Sequence, residues 1–239
     1  MTRGRSGGIV DPDGRPAAAS AEESTIVRLV IHEFLSFDGV MQGPGGPDED
    51  RAGGFDRGGW IAPFAAQPRW GQVVSDWFAR ADALLLGRST YDMMHPYWSQ
   101  VDDPDNPVGI ALNSLPKYVV SSTLTGPAWH NTTVLPGDVV AEVERLKAAG
   151  DGELQVHGSW QLARTLHRAG LVDEYRLIRF PVAVGAGKRL FDADDPATGF
   201  RVVAASILDE GTTYHALQPA PFRTGGLDVV DGREVVREG

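Results

Sequence analysis

Ala83-Leu84-Leu85-Leu86-Gly87-Arg88-Ser89-Thr90-Tyr91-Asp92 sets the fold class of this chain. The apolar run between Asp82 and Gly87 reads as a short strand buried on both faces, the kind found in parallel sheets. Gly87 permits the sharp turn that must follow. Ser89, three residues before Asp92, predicts a helix that opens in capping-box fashion. Arg88 lies in the turn. A strand, a glycine turn, a helix N-terminus and an arginine together describe an anion site. Free backbone N–H groups and the helix dipole favour a phosphate, and a guanidinium holds one through two hydrogen bonds. An ordinary strand-to-helix turn with a solvated arginine is the plainer reading of the same residues.

Upstream, Trp70, Val73, Val74, Trp77 and Phe78 recur at helical spacing, so 69–80 reads as an amphipathic helix with its aromatics in the core. Residues 42–67 are dense in Gly, Pro and Asp. A loop that long in a compact domain is usually functional, and Phe55, Trp60 and Phe64 either fold over a ligand or anchor it. Residues 26–35 form a central strand closed by the turn 36–40. Residues 1–24, without periodicity, read as a disordered arm before a single domain at 25–218 and a tail at 219–239.

Downstream, Pro96 should end the helix early, and 98–114 reads as a polar loop. Strands follow at 117–120 and 132–135. A helix capped by Asp138 ends at Gly150, and a strand runs over 154–157. A helix capped by Ser159 stops at Gly170, followed by a strand at 175–180. Residues 202–208 and 213–217 flank Asp209-Glu210-Gly211 as a hairpin, and Val229-Val230-Asp231-Gly232 suggests a small terminal one. Alternating strands and helices predict an α/β domain with a mainly parallel sheet, helices on both faces and an antiparallel hairpin at its end.

The 239-residue chain is long enough to bury a full core. Its net charge of −10 argues against a nucleic-acid partner, which requires a basic face. It has no cysteine, so disulfides and thiolate metal sites are excluded. No apolar run approaches the roughly 20 residues that span a bilayer, and no secretory h-region is present. A cytoplasmic protein with no membrane partner and no bound metal is the plain expectation.

Ligands of parallel α/β sheets bind outside the carboxyl ends of the strands. Three strands here end in small polar residues: Gly87-Arg88-Ser89-Thr90, Ser121-Ser122-Thr123 and Gly158-Ser159. That suits a dinucleotide, with its pyrophosphate at Gly158 and Ser159 and an adenosine ribose phosphate at Arg88 and Ser121 or Ser122. An arginine at that phosphate points to NADP rather than NAD. The Rossmann fingerprint is missing, because Gly185-Ala186-Gly187 lacks its third glycine. A hydrolase elbow at Ser89 or Ser159 is incomplete, since Ser89 lacks the second flanking glycine, where Tyr91 stands, and Ser159 lacks the first, where His157 stands.

Phe34–Val40, Ala81–Tyr91, Val156–Ser159, Gly170–Glu174 and Pro181–Phe191, in this order and spacing, resemble the dihydrofolate-reductase-like superfamily. More narrowly, the chain is similar over about residues 26–217 to the reductase domain of the riboflavin-biosynthesis deaminase-reductases, in its stand-alone form. The resemblance implies an NADPH-dependent reductase acting on a small heterocyclic or sugar-like substrate, most like 5-amino-6-(5-phosphoribosylamino)uracil reductase, and a homodimer. It places Gly87, Arg88, Ser89 and Thr90 at the adenosine-side phosphate, with Ser121 and Ser122 as a second contact. Gly158 and Ser159 fall at the pyrophosphate, and Gly39 and Val40 beside the nicotinamide. Val184, Gly185, Gly187 and Lys188 fall on the substrate side. Asp38 is the candidate polar group near the reacting centre, although a turn role before Gly39 suits it equally. Dihydrofolate reductases carry a carboxylate three residues before a Trp-Phe pair; here that position is Val74, and Asp76 would face elsewhere, which argues against dihydrofolate. A nucleotide-binding protein without turnover and a serine hydrolase are the rival readings.

Overall fold

A computed structural model describes residues 26–238. The arm expected at 1–24 lies outside them. Strands β1 (Arg28–Ser36), β2 (Ala83–Gly87), β3 (Lys117–Val120), β4 (Thr132–Leu135), β5 (Glu153–His157), β6 (Glu174–Phe180), β7 (Gly199–Ile207) and β8 (Thr213–Ala220) form one sheet. Their spatial order is β4-β3-β2-β5-β1-β6-β8-β7. The first six are parallel, and β8 and β7 add an antiparallel hairpin. This is the expected architecture. Strands β9 (Gly225–Val230) and β10 (Arg233–Glu238) form the small terminal hairpin as a separate sheet.

Helices α1 (Pro68–Phe78), α2 (Arg88–Trp98) and α3 (Pro107–Ser114) cover one face, and α4 (Val139–Lys147) and α5 (Trp160–Arg168) the other. The alternation of strand side chains divides the core accordingly. Leu84 and Leu86 meet Phe78, Tyr91 and Leu112, whereas Leu85 meets Val143, Leu162 and Leu166. All three leucines of β2 are fully buried, as a strand covered on both faces requires.

Two expectations are corrected here. Pro96 lies inside α2, which continues to Trp98. Beyond the proline the amides of Ser99 and Gln100 bond to His95 and Tyr97, so only the proline's own helical bond is lost. The presumed loop 98–114 contains α3, capped by the Asn106 side chain on Gly109 N–H. The buried Lys117 of β3 closes the other end of α3. Its Nζ donates to the carbonyls of Leu112 and Leu115 and lies 5.0 Å above the Trp129 ring. Burial lowers its pKa to about 8.

Glu33 of β1 is 5% exposed and stands between Ile31 and Leu35, opposite Leu177. Its Oε1 has no hydrogen-bond partner, and burial pushes its pKa well above the carboxylate range. The folded chain therefore keeps a proton that the unfolded chain releases. Stability falls as pH rises from the unfolded pKa towards the folded one, by up to about 1.4 kcal/mol per pH unit. Glu33→Gln should raise the melting temperature at pH 8 and do so less at pH 5. Equal effects at both pH values would contradict a buried neutral acid.

Candidate functional site

All six parallel strands present their carboxyl ends to one edge, so Ser121, Gly87, Gly158, Ser36 and Phe180 follow one another along it. The structure thus brings the three small polar strand ends together. Neighbouring strands lie about 5 Å apart, the scale on which a dinucleotide's phosphates and sugars are spaced.

Helix α2 begins with Gly87 at its N-cap and no side-chain cap, so Ser89 does not cap it as expected. Ser89 is exposed and Thr90 buried within the first turn. Ser159 does stand at the N-cap of α5, in the left-handed region at φ 67°, but its hydroxyl does not bond its own helix. The hydroxyl accepts the Gly87 N–H at 2.8 Å and ties the ends of β2 and β5 together. Asp138, by contrast, caps α4 on Val140 and Ala141 N–H. The N-termini of α2 and α5 therefore share one edge without side-chain caps, with N–H groups available to an anion. Gly158, at φ 60°, keeps the β5 end bare; a Cβ there would stand 3.5 Å from the Thr90 side chain. These residues fit a dinucleotide phosphate chain.

Arg88 completes this half. Its Nε lies 2.7 Å from Asp92 Oδ2, and its Nη1 lies 3.5 Å from Thr123 Oγ1 on the adjacent strand end. Ser121 Oγ accepts the N–H groups of Thr123 and Leu124 and so shapes the turn, and Ser122 between them is exposed.

The other half is built by two loops. Ser36 Oγ accepts the Val40 N–H at 2.8 Å and donates to Asp38 Oδ1 at 2.7 Å. Gly39 supplies φ 83°, which closes the turn, and the buried Val40 pairs with Arg189 in an isolated antiparallel bridge. Asp38 accepts the N–H groups of Val184 at 2.9 Å and Gly185 at 2.8 Å, with Arg189 Nη2 at 3.3 Å. Burial opposes its charge, but the bonds from Ser36, Val184 and Gly185 prevail and hold the carboxyl well below the usual carboxylate range. An ionised carboxylate spent on loop amides suits positioning better than proton donation. Asp38→Asn should loosen residues 182–187 and raise the substrate KM several-fold with kcat nearly unchanged. Steady-state kinetics at neutral pH would show this; a collapse of kcat with KM unchanged would instead make Asp38 a proton-transfer group.

Of the substrate-side candidates, Gly185 is exposed, and Val184 is buried in the aromatic cluster. Gly187, at φ 129°, allows close packing, since a Cβ there would lie 2.8 Å from Val40. Lys188 Nζ lies 2.6 Å from Asp50 Oδ2. The long loop 42–67 is anchored by its aromatics. Trp60 and Phe64 pack against Phe180 at ring distances of 5.9 and 5.3 Å, and Trp70 and Phe34 complete the ring of contacts. Gln42, Asp50 and Arg57 then fasten it to the 184–188 loop, through Lys188 N–H, Lys188 Nζ and the Val184 carbonyl respectively. Sequence reading misses these three residues, because their partners lie more than a hundred positions away.

Beneath α1, the rings of His32 and His157 stack at 4.8 Å, and Phe78 covers His157 at 4.4 Å. Burial lowers the pKa of His157 to about 3 and that of His32 well below the usual range, so both rings are neutral at physiological pH. His157 Nε2 bonds to Gln155, not to Ser159. Neither Ser89 nor Ser159 thus has a histidine side chain to activate it, which argues against the hydrolase reading. Asp76 is exposed on α1 and accepts from Gln72, so it faces away from the sheet as expected. Among the described residues no cluster of three or more His, Asp or Glu side chains is arranged to hold a metal, and no helix is long and apolar enough to cross a membrane.

Comparison with known proteins gives a consistent picture. The profile of the RibD C-terminal domain matches residues 27–214. The uncharacterised protein YyaP of Bacillus subtilis (strain 168) is 31% identical over 166 residues, which is 69% of this chain and 80% of YyaP. A Shewanella sp. PV-4 protein described as a riboflavin biosynthesis protein superposes with a TM-score of 0.58 at 22% identity, over 82% of this chain and all of that one. Dihydrofolate reductase from Enterococcus faecalis, complexed with NADP(H), gives 0.52 at 13% identity, over 81% and 97%. A deaminase/5-amino-6-(5-phosphoribosylamino)uracil reductase from Thermotoga maritima gives 0.54 at 12%, over 82% of this chain and 57% of that one. At these identities the solved structures speak for the fold.

Proposed function

As the chain belongs to the RibD C-terminal domain family, we propose that it is an NADPH-dependent reductase acting in the cytoplasm on a small heterocyclic or sugar-like substrate. The observation that carries this reading is the pair of helix N-termini without side-chain caps, α2 and α5, on adjacent strand ends beside Arg88. The reduced nicotinamide supplies the hydride, and the protein supplies binding and orientation.

Each residue then has a physical task. The N–H groups at the start of α5, kept accessible by Gly158, face the pyrophosphate, and Ser159 fixes the spacing of β5 and β2. The start of α2 at Ser89 and Thr90 takes the adenosine-side phosphate, with Arg88 clamping it and Ser122 at its rim. Gly39 and Val40 form the floor under the nicotinamide. Asp38 holds Val184 and Gly185 in place on the substrate side. Gly187 lets that loop approach Val40, and Lys188 draws the 42–67 loop over the site through Asp50. Closing the two loops excludes water from the hydride path.

The solved relative named as a uracil-type reductase makes the ribosylaminopyrimidine of riboflavin synthesis the first substrate to test. Mixing it with protein and NADPH should consume reduced nicotinamide catalytically, read at its absorbance band. Tight NADPH binding without turnover on this compound, on dihydrofolate or on related heterocycles would favour a binding protein. Covalent labelling by a serine-reactive probe would favour a hydrolase.

A further inference from the structure

The two loops assigned to the substrate side carry their own anions. Residues 36–67 and 182–189 hold five carboxylates, Asp38, Asp48, Glu49, Asp50 and Asp56, and four cations, Arg51, Arg57, Lys188 and Arg189. Three of the carboxylates take up backbone N–H groups. Asp38 accepts those of Val184 and Gly185, Glu49 those of Gly45 and Gly46, and Asp50 that of Ala52. The cations are engaged as well. Lys188 Nζ lies 2.6 Å from Asp50, Arg189 Nη2 3.3 Å from Asp38, and Arg51 Nη1 3.0 Å from Asp48. Arg57 gives Nη1 to the Val184 carbonyl, and its Nε lies 3.8 Å from Asp56. The phosphate half is built the other way. No side chain caps the amides at the starts of α2 and α5, and Asp92 takes Arg88 by its Nε.

A bound phosphate needs converging N–H groups and a guanidinium or ammonium. On the substrate side the protein's own carboxylates already sit on such donors, so an incoming phosphate meets like charge and must displace one of them. We propose that the substrate of this chain is an unphosphorylated heterocyclic or sugar-like compound, uncharged or cationic where it meets these loops. This inference rests on the reductase reading and narrows its substrate class. Of the ribosylaminopyrimidine chosen as the first compound to test, the form without a ribose phosphate is then the better substrate. The discriminating contact is the ion pair between Asp50 and Lys188, which joins the two loops and sets an anion where a phosphate would seek the ammonium.

Calorimetric titration of the NADPH-saturated chain with ribose 5-phosphate tests this, on the wild type and on Asp50→Asn. The variant keeps an oxygen for the Ala52 N–H and removes the countercharge of Lys188. The wild type should show no saturable binding up to about 10 mM, and the variant should bind with a Kd of about 1 mM or below, a gain of at least about tenfold. Saturable wild-type binding within that range would overturn the proposal. A variant that retains its NADPH affinity and gains nothing would overturn it too, because the ion pair would then not be what turns the phosphate away. Failure of the wild type to take up NADPH is a separate result, which removes the reductase reading and this proposal with it.

Discussion

Arg88→Ala is expected to weaken NADPH binding about a hundredfold, or about 2.7 kcal/mol, and to change NADH binding by less than about threefold. Arg88 stands at the first position of α2, where the helix dipole already favours a phosphate. Its guanidinium is half-exposed, oriented by Asp92 at 2.7 Å and directed towards Thr123 on the neighbouring strand end. A planar, permanently charged fork in that position gains two charge-assisted bonds from a ribose phosphate and none from a ribose hydroxyl. The test is therefore a ratio and not an affinity. A general loss of folding or of the pyrophosphate site would weaken both nucleotides alike. Equal losses for NADPH and NADH would remove the 2′-phosphate assignment and leave the fold standing.

Arg176→Met is expected to cost about 3–5 kcal/mol of folding stability, a large part of what a domain this size possesses. Arg176 is 2% exposed on the α1 face of β6. It bonds Glu153 through both terminal nitrogens, at 2.8 and 2.7 Å, and Glu174 through Nε at 2.7 Å. Glu174 is further held by Arg28 at 2.7 Å. Removing the guanidinium leaves the buried carboxylates of Glu153 and Glu174 with Arg28 as the remaining bonded cation, beside the amides of Gln155 and Gln218. Denaturant unfolding should show the midpoint fall with an unchanged slope. Adding Glu153→Leu should recover at least half of the loss, because the penalty comes from uncompensated charge and not from lost volume. A double variant as unstable as the single one would contradict that origin. The network lies at the amino half of β5 and β6, away from the carboxyl edge, so NADPH affinity of the folded variant should stay within about twofold.

The fold was largely legible because its strands are short apolar runs bounded by glycine and its helices show clear faces. Leu84 to Leu86 and the stop at Gly170 are examples of each. α3 escaped because it has only eight residues inside an Asp-rich segment, yet Asn106-Pro107 is an N-cap followed by proline at the first helical position and could have revealed it. The strand ends and helix starts assigned here to the phosphates were legible for the same reason as the fold: they are local features. Ser159 kept its place but not its bond, since the left-handed turn through Gly158 directs its hydroxyl across to Gly87. The half proposed for the nicotinamide and substrate depends on bonds between residues far apart, such as Asp38 with Gly185 and Gln42 with Lys188. No local pattern encodes those. The Arg176 network, which spans β1, β5 and β6, was invisible for the same reason.

The most direct test of the central claim is a titration of the purified chain with NADPH and, separately, NADH, following nicotinamide fluorescence. Saturable binding of NADPH at micromolar or lower concentration, at least tenfold tighter than NADH, is the predicted result. Binding of neither nucleotide, with the protein folded by circular dichroism, would contradict the reductase reading.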